Sequence, residues 1–279
     1  MNDNESTVLV TRSQLAADLR QLGLRAGDTV LLHVSVKAIG WMVGGPRSVL
    51  EALFDVLTPE GTLMMLASWE GNPYELDDWS EDDQKRWRED CPPFNPETTP
   101  ADHRDLSILA EYLRTWRGAH RSTHPLASFV AVGRQAAWLT EVQPARYGFG
   151  VDSPLGRLCA AGGYELSLGA PLSTLTLLHH AEQLVDLPTK RIDRYQMPIL
   201  RDGSKIWVEV EEFDTTSGIA DFGVEDYFLE IGRAFAATTE AHTGKVGEAQ
   251  SYLFPADALK TFASDWMQQH YRGALPDKD

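Results

Sequence analysis

The segment LLHHAEQ at residues 177–183 holds the first candidate for chemistry in this chain. If the segment is helical, Thr176, His179 and Glu182 follow one another at three-residue steps and lie near one face. An imidazole there can take a proton from an attacking amine, and a carboxylate beside it can hold the tautomer and stabilise the imidazolium. A hydroxyl one turn earlier can donate to a developing oxyanion. The pattern therefore predicts a general-base site.

Two other interpretations of this segment stay open. An ordinary helix with polar residues on its solvent side has the same pattern. A metal site is the second alternative, because His179, His180 and Glu182 are all ligand types, and His124 could join them. The two-histidine spacing of H-E-x-x-H is absent, however, and adjacent histidines point about 100° apart on a helix. The spacing therefore favours a site without a metal.

Two further segments contain residues suited to a phosphate or a pantetheine chain. The stretch 31–45 is typical of a strand that ends near Ser35 and Lys37, with glycines before the next helix. Ligands of open α/β sheets bind beyond the carboxyl ends of strands. In the loop HRSTHP, Arg121 and Ser122 can contact a phosphate or an amide, although the segment taken alone is more typical of an ordinary loop with turn residues. The chain has no G-x-G-x-x-G or G-x-x-x-x-G-K-[ST] motif, so a Rossmann or P-loop site has no support.

The segment WEGNPYELDDWSEDD at 69–83 combines carboxylates with Trp69, Tyr74 and Trp79. The carboxylates attract ammonium groups, and the aromatic faces can pack on a sugar ring and make cation–π contacts. The wider stretch 69–105 has little periodicity, which predicts a long excursion over the surface. It is therefore a candidate binding loop for a polyamine or an aminosugar, although a solvated acidic loop has the same composition.

Apolar periodicity predicts the elements that must position these residues. Helices and strands alternate, and Asp202-Gly203 supply the turn of a later β-hairpin. This predicts an α/β fold with a mixed, partly parallel sheet flanked by helices. We expect one domain over 1–279, with an acidic insertion at about 69–105. The predicted helices cover 11–22, 47–57, 106–116, 173–187 and most of the chain from 225 onward. The predicted strands cover 31–35, 62–67, 127–133, 164–169 and the two arms of the hairpin in 197–213.

Composition limits the class of protein. The formal net charge of −16 over 279 residues argues against binding to nucleic acid or to an anionic membrane, and it permits a cationic partner. No apolar run approaches the roughly 20 residues of a membrane span, and the N-terminus lacks the pattern of a signal peptide. Cys91 and Cys159 lie far apart and define no disulfide framework. These features predict a cytoplasmic protein.

Seven segments follow one another in a fixed order along the chain. They are HVSVKAIGWMVGGP, TPEGTLMMLASWEG, PPFNPET, HRSTHPLASFVAVGRQA, YGFGVDSPLGRL, LGAPLSTLTLLHHAE and the hairpin with ILRDGSKIWVEVE. Together they resemble the aminoglycoside 3-N-acetyltransferases, from about residue 10 to about residue 270. The chain has no (Q/R)-x-x-G-x-(G/A) pyrophosphate loop, which agrees with the separate α/β architecture of that family.

The resemblance implies an enzyme that acetylates the 3-amino group of 2-deoxystreptamine aminoglycosides and so confers antibiotic resistance. It implies that His179 is the general base, that Glu182 orients His179, and that Thr176 stabilises the tetrahedral intermediate. Acetyl-CoA is the implied co-substrate, with no metal, and the chain is expected to be a monomer or a homodimer. Implied CoA contacts are Ser35, Val36, Lys37, Arg121, Ser122 and Ser153. Expected antibiotic contacts are Trp69, Glu70, Tyr74, Asp77 and Asp214.

The expected reaction is direct transfer in a ternary complex. An aminoglycoside amine is mostly ammonium at neutral pH, so the reaction needs a base that works near pH 7. A cysteine nucleophile is not expected, because neither Cys91 nor Cys159 has a histidine near it in sequence.

The chain departs from the family pattern in the first of the seven segments. The commoner form of this motif has two adjacent serines after the histidine. This chain has Val34-Ser35 instead, which removes one possible CoA contact.

Three rival functions stay open from the sequence. The same fold could acylate another small amine, in which case only other amines would cause thiol release. A metal-dependent hydrolase using His179, His180 and Glu182 would retain stoichiometric zinc and lose activity to a chelator. A non-catalytic protein that sequesters cationic drugs would bind an aminoglycoside without binding acetyl-CoA.

Overall fold

Of the 279 residues in the chain, the computed structural model describes 8–69, 76, 79–104, 106–214 and 217–275. Its strands form a seven-stranded sheet and two small two-stranded sheets. The strands are β1 Leu9–Val10, β2 Thr29–Val34, β3 Trp41–Met42, β4 Thr62–Leu66, β5 His120–Arg121, β6 Phe129–Gly133, β7 Tyr164–Leu168, β8 Ile192–Arg201, β9 Ser204–Phe213, β10 His242–Val246 and β11 Ala249–Pro255.

The large sheet is parallel at its centre and antiparallel on both sides. Its strand order is β10-β11-β7-β2-β4-β6-β5. Strand β2 pairs in parallel with β4 and with β7, whereas the outer pairings are antiparallel. The predicted mixed, partly parallel sheet is therefore confirmed. Because β2, β4 and β7 run in one direction, their carboxyl ends meet at one edge, where open α/β sheets bind ligands.

Helices cover both faces of this sheet. Along β2, Val30, Leu32 and Val34 enter one apolar core and Leu31 enters the other, as the two-residue period of a strand requires. The helices are α1 Arg12–Leu22, α2 Val36–Ile39, α3 Arg47–Leu57, α4 Glu81–Asp90, α5 Ile108–Arg114, α6 Ala136–Thr140, α7 Pro154–Ala160, α8 Leu177–Leu184, α9 Tyr227–Ala236 and α10 Ala256–His270. The first core contains buried residues of α1, α2, α3 and α5, and the second contains buried residues of α6 to α10.

Local signals in the sequence set several boundaries where they were predicted. Helix α1 begins after Thr11, whose hydroxyl accepts the Gln14 N–H at 3.2 Å, and it ends at Gly23, where φ is 126°. The β8–β9 hairpin turns at Asp202 and Gly203, which have φ values of 51° and 76°. Positive φ at both central residues is what a type I′ turn needs, so the Asp-Gly signal is confirmed.

Three predicted elements differ from the structure. The stretch 69–105 contains helix α4, which has no buried residue, so no apolar period marked it. The tail from 225 onward is not mostly helical, because β10 and β11 form a hairpin that extends the sheet between α9 and α10. Helix α8 is shorter than 173–187, since a separate 3₁₀ turn precedes it and its last residue is Leu184. Among the described residues, no helix has the length and apolar character needed to cross a membrane.

Candidate active site

Two cavities share the side chain of His179. One, which we call the strand-end cavity, has a volume of about 400 Å³ and lies where β2, β4 and β7 end. The other, which we call the acidic cavity, has a volume of about 360 Å³ and lies beside the start of α9. The strand-end cavity is lined by residues that include His33, Ser35, Leu66, Pro171, Thr176 and His179. The acidic cavity is lined by residues that include Ser173, His179, Ser217, Glu225, Asp226 and Tyr227.

Helix α8 holds His179 against Glu182. The Nδ1 atom of His179 lies 2.6 Å from a carboxylate oxygen of Glu182, one helical turn later. A carboxylate accepts and does not donate, so Nδ1 carries the proton and Nε2 is left to accept one. The imidazole lies between the rings of Phe149 and Phe228, with centroid distances of 5.1 and 4.8 Å, and 20% of the His179 side chain stays exposed. The site therefore presents an oriented base.

Glu182 is fixed from its other side by Tyr227. The Glu182 side chain is only 1% exposed, and its second oxygen accepts a hydrogen bond from the Tyr227 hydroxyl. Burial raises the pKa of Tyr227 well above its usual range, and the negative charge of Glu182 adds to that effect. Tyr227 therefore stays a neutral donor, and both oxygens of Glu182 are used in holding the site.

Two hydroxyl groups line the strand-end cavity. Thr176 directly precedes α8 and is buried, and its hydroxyl makes no hydrogen bond within the described part of the chain. Ser35 directly follows β2, and its side chain does not cap α2. The structure thus brings Thr176 and Ser35 into one cavity with His179, where a free hydroxyl can donate to a bound carbonyl oxygen.

The other residues implied as CoA contacts lie in varied positions. Val36 packs half-buried against the first core, and Lys37 is exposed on α2. Neither residue is in the lining of the strand-end cavity. Both nevertheless follow Ser35 directly, in the first turn of α2, so their proximity to a bound co-substrate stays a prediction.

Arg121, Ser122 and Ser153 have intramolecular roles in the framework. The Arg121 guanidinium donates to the carbonyl oxygens of Thr99 and Ala67, each at 2.5 Å, and burial lowers its pKa to about 10. Ser122 and Ser153 are fully buried, and Ser153 caps α7. The structure does not bring these three residues into the two cavities at His179.

The residues expected to contact the antibiotic are spread over several places. Trp69 is buried and packs on Phe94, with ring centroids 6.0 Å apart. Asp214 is fully buried and forms an ion pair of 3.2 Å with Arg191. Neither lines a cavity at His179. The remaining expected contacts lie outside the described residues, and they are Glu70, Tyr74 and Asp77.

The carboxylates that line the acidic cavity were not predicted from the sequence. Asp226 caps α9 by accepting the Leu229 N–H at 2.9 Å, and Glu225 before it is exposed. Tyr227 is 45 residues from Glu182 in sequence, so no local pattern links them. The only local signal was an acidic residue at a helix start, which indicates a cap and not a ligand. His33 was not predicted either, although a polar residue within the apolar run LLHV is a signal that could have found it.

The histidines considered as metal ligands point in different directions. The Nδ1 atom of His180 lies 2.7 Å from the Phe149 carbonyl oxygen, away from Glu182. His124 is buried and accepts the Ala127 N–H at 3.0 Å. Within the described residues, no group of three or more His, Cys, Asp or Glu side chains is arranged to hold a metal ion.

Glu212 is a buried carboxyl close to the base. Burial raises its pKa to about 7, against the opposing effect of the Phe213 N–H that it accepts. Gln183 donates a hydrogen bond to one Glu212 oxygen, and the other oxygen is buried without a partner in the described structure. Glu212 is therefore a costly group to ionise in the folded state.

We expect Glu212→Gln to stabilise the protein more at pH 8 than at pH 5. The folded-state pKa is raised from 4.5, so this group favours folding below pH 4.5 and loses that contribution as pH rises through about 7. The difference in free energy of unfolding between variant and wild type should grow by about 1–3 kcal/mol over this range. Urea unfolding at both pH values measures it. Glu209→Gln, at an exposed glutamate of β9, is the control, and parallel profiles for both variants would contradict the expectation.

Comparison with known proteins adds independent information. A family model described as aminoglycoside 3-N-acetyltransferase matches residues 31–268. The aminoglycoside N(3)-acetyltransferase III of Pseudomonas aeruginosa is 48% identical over 261 residues, which is 94% of each chain. A solved structure of AAC-IIIb binary with CoASH is 42% identical, with a TM-score of 0.88 over 97% of this chain and 100% of that one. A structure of AAC-VIa bound to sisomicin is 33% identical, with a TM-score of 0.88 over 95% and 100%.

Fold, sequence and relatives together define the class of the protein as an acyltransferase. Within this class, the chain belongs to the aminoglycoside 3-N-acetyltransferase family. The family resemblance predicted from the seven ordered segments is thus confirmed, as is the α/β fold that it implied.

Proposed function

We propose that this protein transfers the acetyl group of acetyl-CoA to the 3-amino group of 2-deoxystreptamine aminoglycosides, directly and in a ternary complex. The observation that carries the proposal is the position of His179, which lines both the strand-end cavity and the acidic cavity. A base in this position can reach an amine held on one side and a thioester held on the other.

The two cavities suit different ligands. The strand-end cavity, at the carboxyl ends of parallel strands and lined by Ser35, fits the acetyl and pantetheine end of acetyl-CoA. The acidic cavity, lined by Glu225 and Asp226, fits a polycation. The related AAC-IIIb forms a binary complex with CoASH and the related AAC-VIa binds sisomicin, which supports both ligand classes for this chain.

In the proposed reaction, the 3-ammonium first loses one proton to solvent, and Nε2 of His179 takes a second proton from the amine as it attacks. The amine nitrogen bonds to the thioester carbon, and Glu182 stabilises the imidazolium that forms. The Thr176 hydroxyl donates to the oxyanion of the tetrahedral intermediate. The carbon–sulfur bond then breaks, the thiolate takes up the proton held by His179, and an amide and free CoA result.

The biological consequence follows from charge. Acetylation removes one positive charge from the antibiotic, because an amide nitrogen is not protonated at neutral pH. This should weaken binding to an anionic target and so confer resistance. We place the reaction in the cytoplasm, where acetyl-CoA is available.

The proposal is tested by incubating the protein with acetyl-CoA and a panel of aminoglycosides that contain 2-deoxystreptamine. Thiol release is followed, and the product is mapped by NMR. We expect thiol release that requires the antibiotic, one acetyl group per molecule, and acetylation at N3. Initial rates with both substrates varied should give intersecting lines in double-reciprocal plots, as a ternary complex requires.

Other results would support the rival functions. Thiol release only with unrelated small amines would keep the acyltransferase and remove the antibiotic. Release without any acceptor, lost to a chelator and restored by zinc, would indicate a metal-dependent hydrolase. Tight binding of the antibiotic without thiol release would indicate a sequestering protein.

We expect Glu225→Gln to raise the KM for the aminoglycoside several-fold while the KM for acetyl-CoA stays unchanged. The reason is the loss of one carboxylate that attracts the polycation in the acidic cavity. Because part of this attraction is screened by salt, the KM of the variant should rise less steeply between low and high ionic strength. Steady-state kinetics at two salt concentrations measures both effects. Glu240→Gln removes the same charge from an exposed position outside that cavity's lining and is the control; equal changes in both variants would indicate a general charge effect.

A further inference from the structure

A second histidine–glutamate pair lies inside the sheet, below the strand-end cavity. Glu165 is on β7, in the parallel centre of the sheet, and it has no exposed surface. His33 is on the neighbouring strand β2, and its side chain lines the strand-end cavity. A carboxylate on a central strand is costly to bury, so its partners indicate what it does.

Glu165 joins two other elements through one oxygen atom. This oxygen accepts the Leu177 N–H at 3.1 Å, in the first turn of α8, and lies 3.0 Å from Nε2 of His33. The His33 Nε2 atom also lies 3.4 Å from the Thr176 nitrogen. One ring nitrogen cannot both donate to a carboxylate and accept from an N–H group, and the shorter contact requires a proton on Nε2. His33 therefore donates to Glu165, and the contact with Thr176 is close packing.

We propose that Glu165 and His33 are positioning residues for acetyl transfer. Together they pin the Thr176–Leu177 peptide at the start of α8, the helix that carries His179 one turn later. This inference rests on the proposed function. A misplacement of about 1 Å in the groups that act on the substrate can cost about 10²-fold in rate. The loss of the pair should therefore lower kcat.

Stability alone gives a weak reason for this pair. A buried carboxylate with a polar partner contributes little net stability, and apolar residues of similar volume often replace such a pair without loss. The second oxygen of Glu165 is also buried without a hydrogen-bond partner in the described structure, which adds to its cost. The free-energy cost of burying Glu165 is better explained by its role in fixing the position of the first turn of α8.

The deciding variant is the double replacement His33→Leu/Glu165→Met, which removes both polar groups and keeps most of the volume. We expect its melting temperature to stay within a few degrees of wild type while kcat falls about 10–100-fold. The KM values for both substrates should change much less than kcat. Glu165→Gln keeps an acceptor for the Leu177 N–H, and His33→Gln keeps a donor, so each should retain more activity than the double variant.

A double-mutant cycle with Thr176→Val links the loss to the proposed site. If the pair acts by placing Thr176, the double replacement should cost much less in the Thr176→Val background than in wild type. Asp18→Ala is the control, because it also removes a carboxylate bond to a backbone N–H, that of Gly247 at 2.9 Å, but outside both cavities. Activity near wild type in the folded double variant would overturn the inference. Failure of the proposed function is a separate result, since wild type itself would then show no antibiotic-dependent thiol release.

Discussion

His179→Ala is expected to lower kcat for acetyl transfer by about 10²–10⁴, the usual contribution of a general base. The variant removes the imidazole that lines both cavities, so the amine must lose its proton to water. Both substrates should still bind, because the carboxylates of the acidic cavity and the hydroxyls of the strand-end cavity remain. The KM values should therefore change much less than kcat. Thiol release under saturating substrates is the measurement.

The loss must be specific to the imidazole that lines the two cavities. His180→Ala is a matched control on the same helix, because His180 bonds to the Phe149 carbonyl oxygen and lines neither cavity. If His179→Ala retained more than about a tenth of the wild-type kcat, the assignment of His179 as the base would fail.

The candidate base could be predicted from sequence because its geometry is local. Residues three apart on a helix are neighbours, so His179 and Glu182 meet whenever α8 forms. Thr176 is placed by the same short segment. Tyr227 could not be predicted in this way, since it reaches Glu182 only through the packing of α9 against the turn before α8.

The buried His33–Glu165 pair and the acidic cavity could not be predicted for the same reason, because each joins residues that are far apart in sequence. His33 and Glu165 lie on neighbouring strands whose register is fixed by the whole sheet. His33 lies next to the last residue of β2 and Glu165 next to the first residue of β7, and nothing within either strand identifies the partner. Glu225 likewise lines the acidic cavity from just before α9, and its sequence neighbours do not indicate that position.

Recognised motifs carried less information about individual side chains than about the family. The segments with Arg121, Ser122 and Ser153 helped to identify the family. The structure shows these three side chains in intramolecular contacts, and their contact with CoA stays a prediction. Arg121 ties two separate loops to the edge of the sheet through their carbonyl oxygens. A motif match alone therefore does not separate side chains that build the fold from side chains that contact a ligand.

The β10–β11 hairpin was missed for a different physical reason. Strand β10 exposes most of its side chains and is glycine-containing, so it lacks the alternation that marks a half-buried strand. Its pairing partner β11 does alternate in burial over most of its length, but it runs directly into α10. The apolar residues of β11 and α10 therefore resemble one continuous helical stretch.

The second large effect is expected for Glu182→Gln, which should lower kcat about 10²-fold with little change in KM. The carboxylate accepts from two donors, Nδ1–H of His179 and the Tyr227 hydroxyl. An amide has only one accepting oxygen, so it cannot accept from both groups as the carboxylate does, and where this oxygen keeps the Tyr227 hydroxyl the NH₂ group faces Nδ1 of His179. If the NH₂ group faces His179, the imidazole adopts the other tautomer and Nε2 carries the proton. The lone pair that should accept the amine proton is then lost.

Tyr227→Phe separates the effect of the tautomer from the effect of the charge. Without the hydroxyl, the oxygen of the substituted amide is free to face Nδ1–H, and Nε2 regains its lone pair. Glu182→Gln should then cost only about 10-fold in the Tyr227→Phe background, the remaining loss coming from weaker stabilisation of the imidazolium. Tyr227→Phe alone should have a small effect on kcat, because one oxygen of Glu182 still holds His179. An equal loss from Glu182→Gln in both backgrounds would contradict the role of the tautomer and leave the negative charge of Glu182 as its whole contribution.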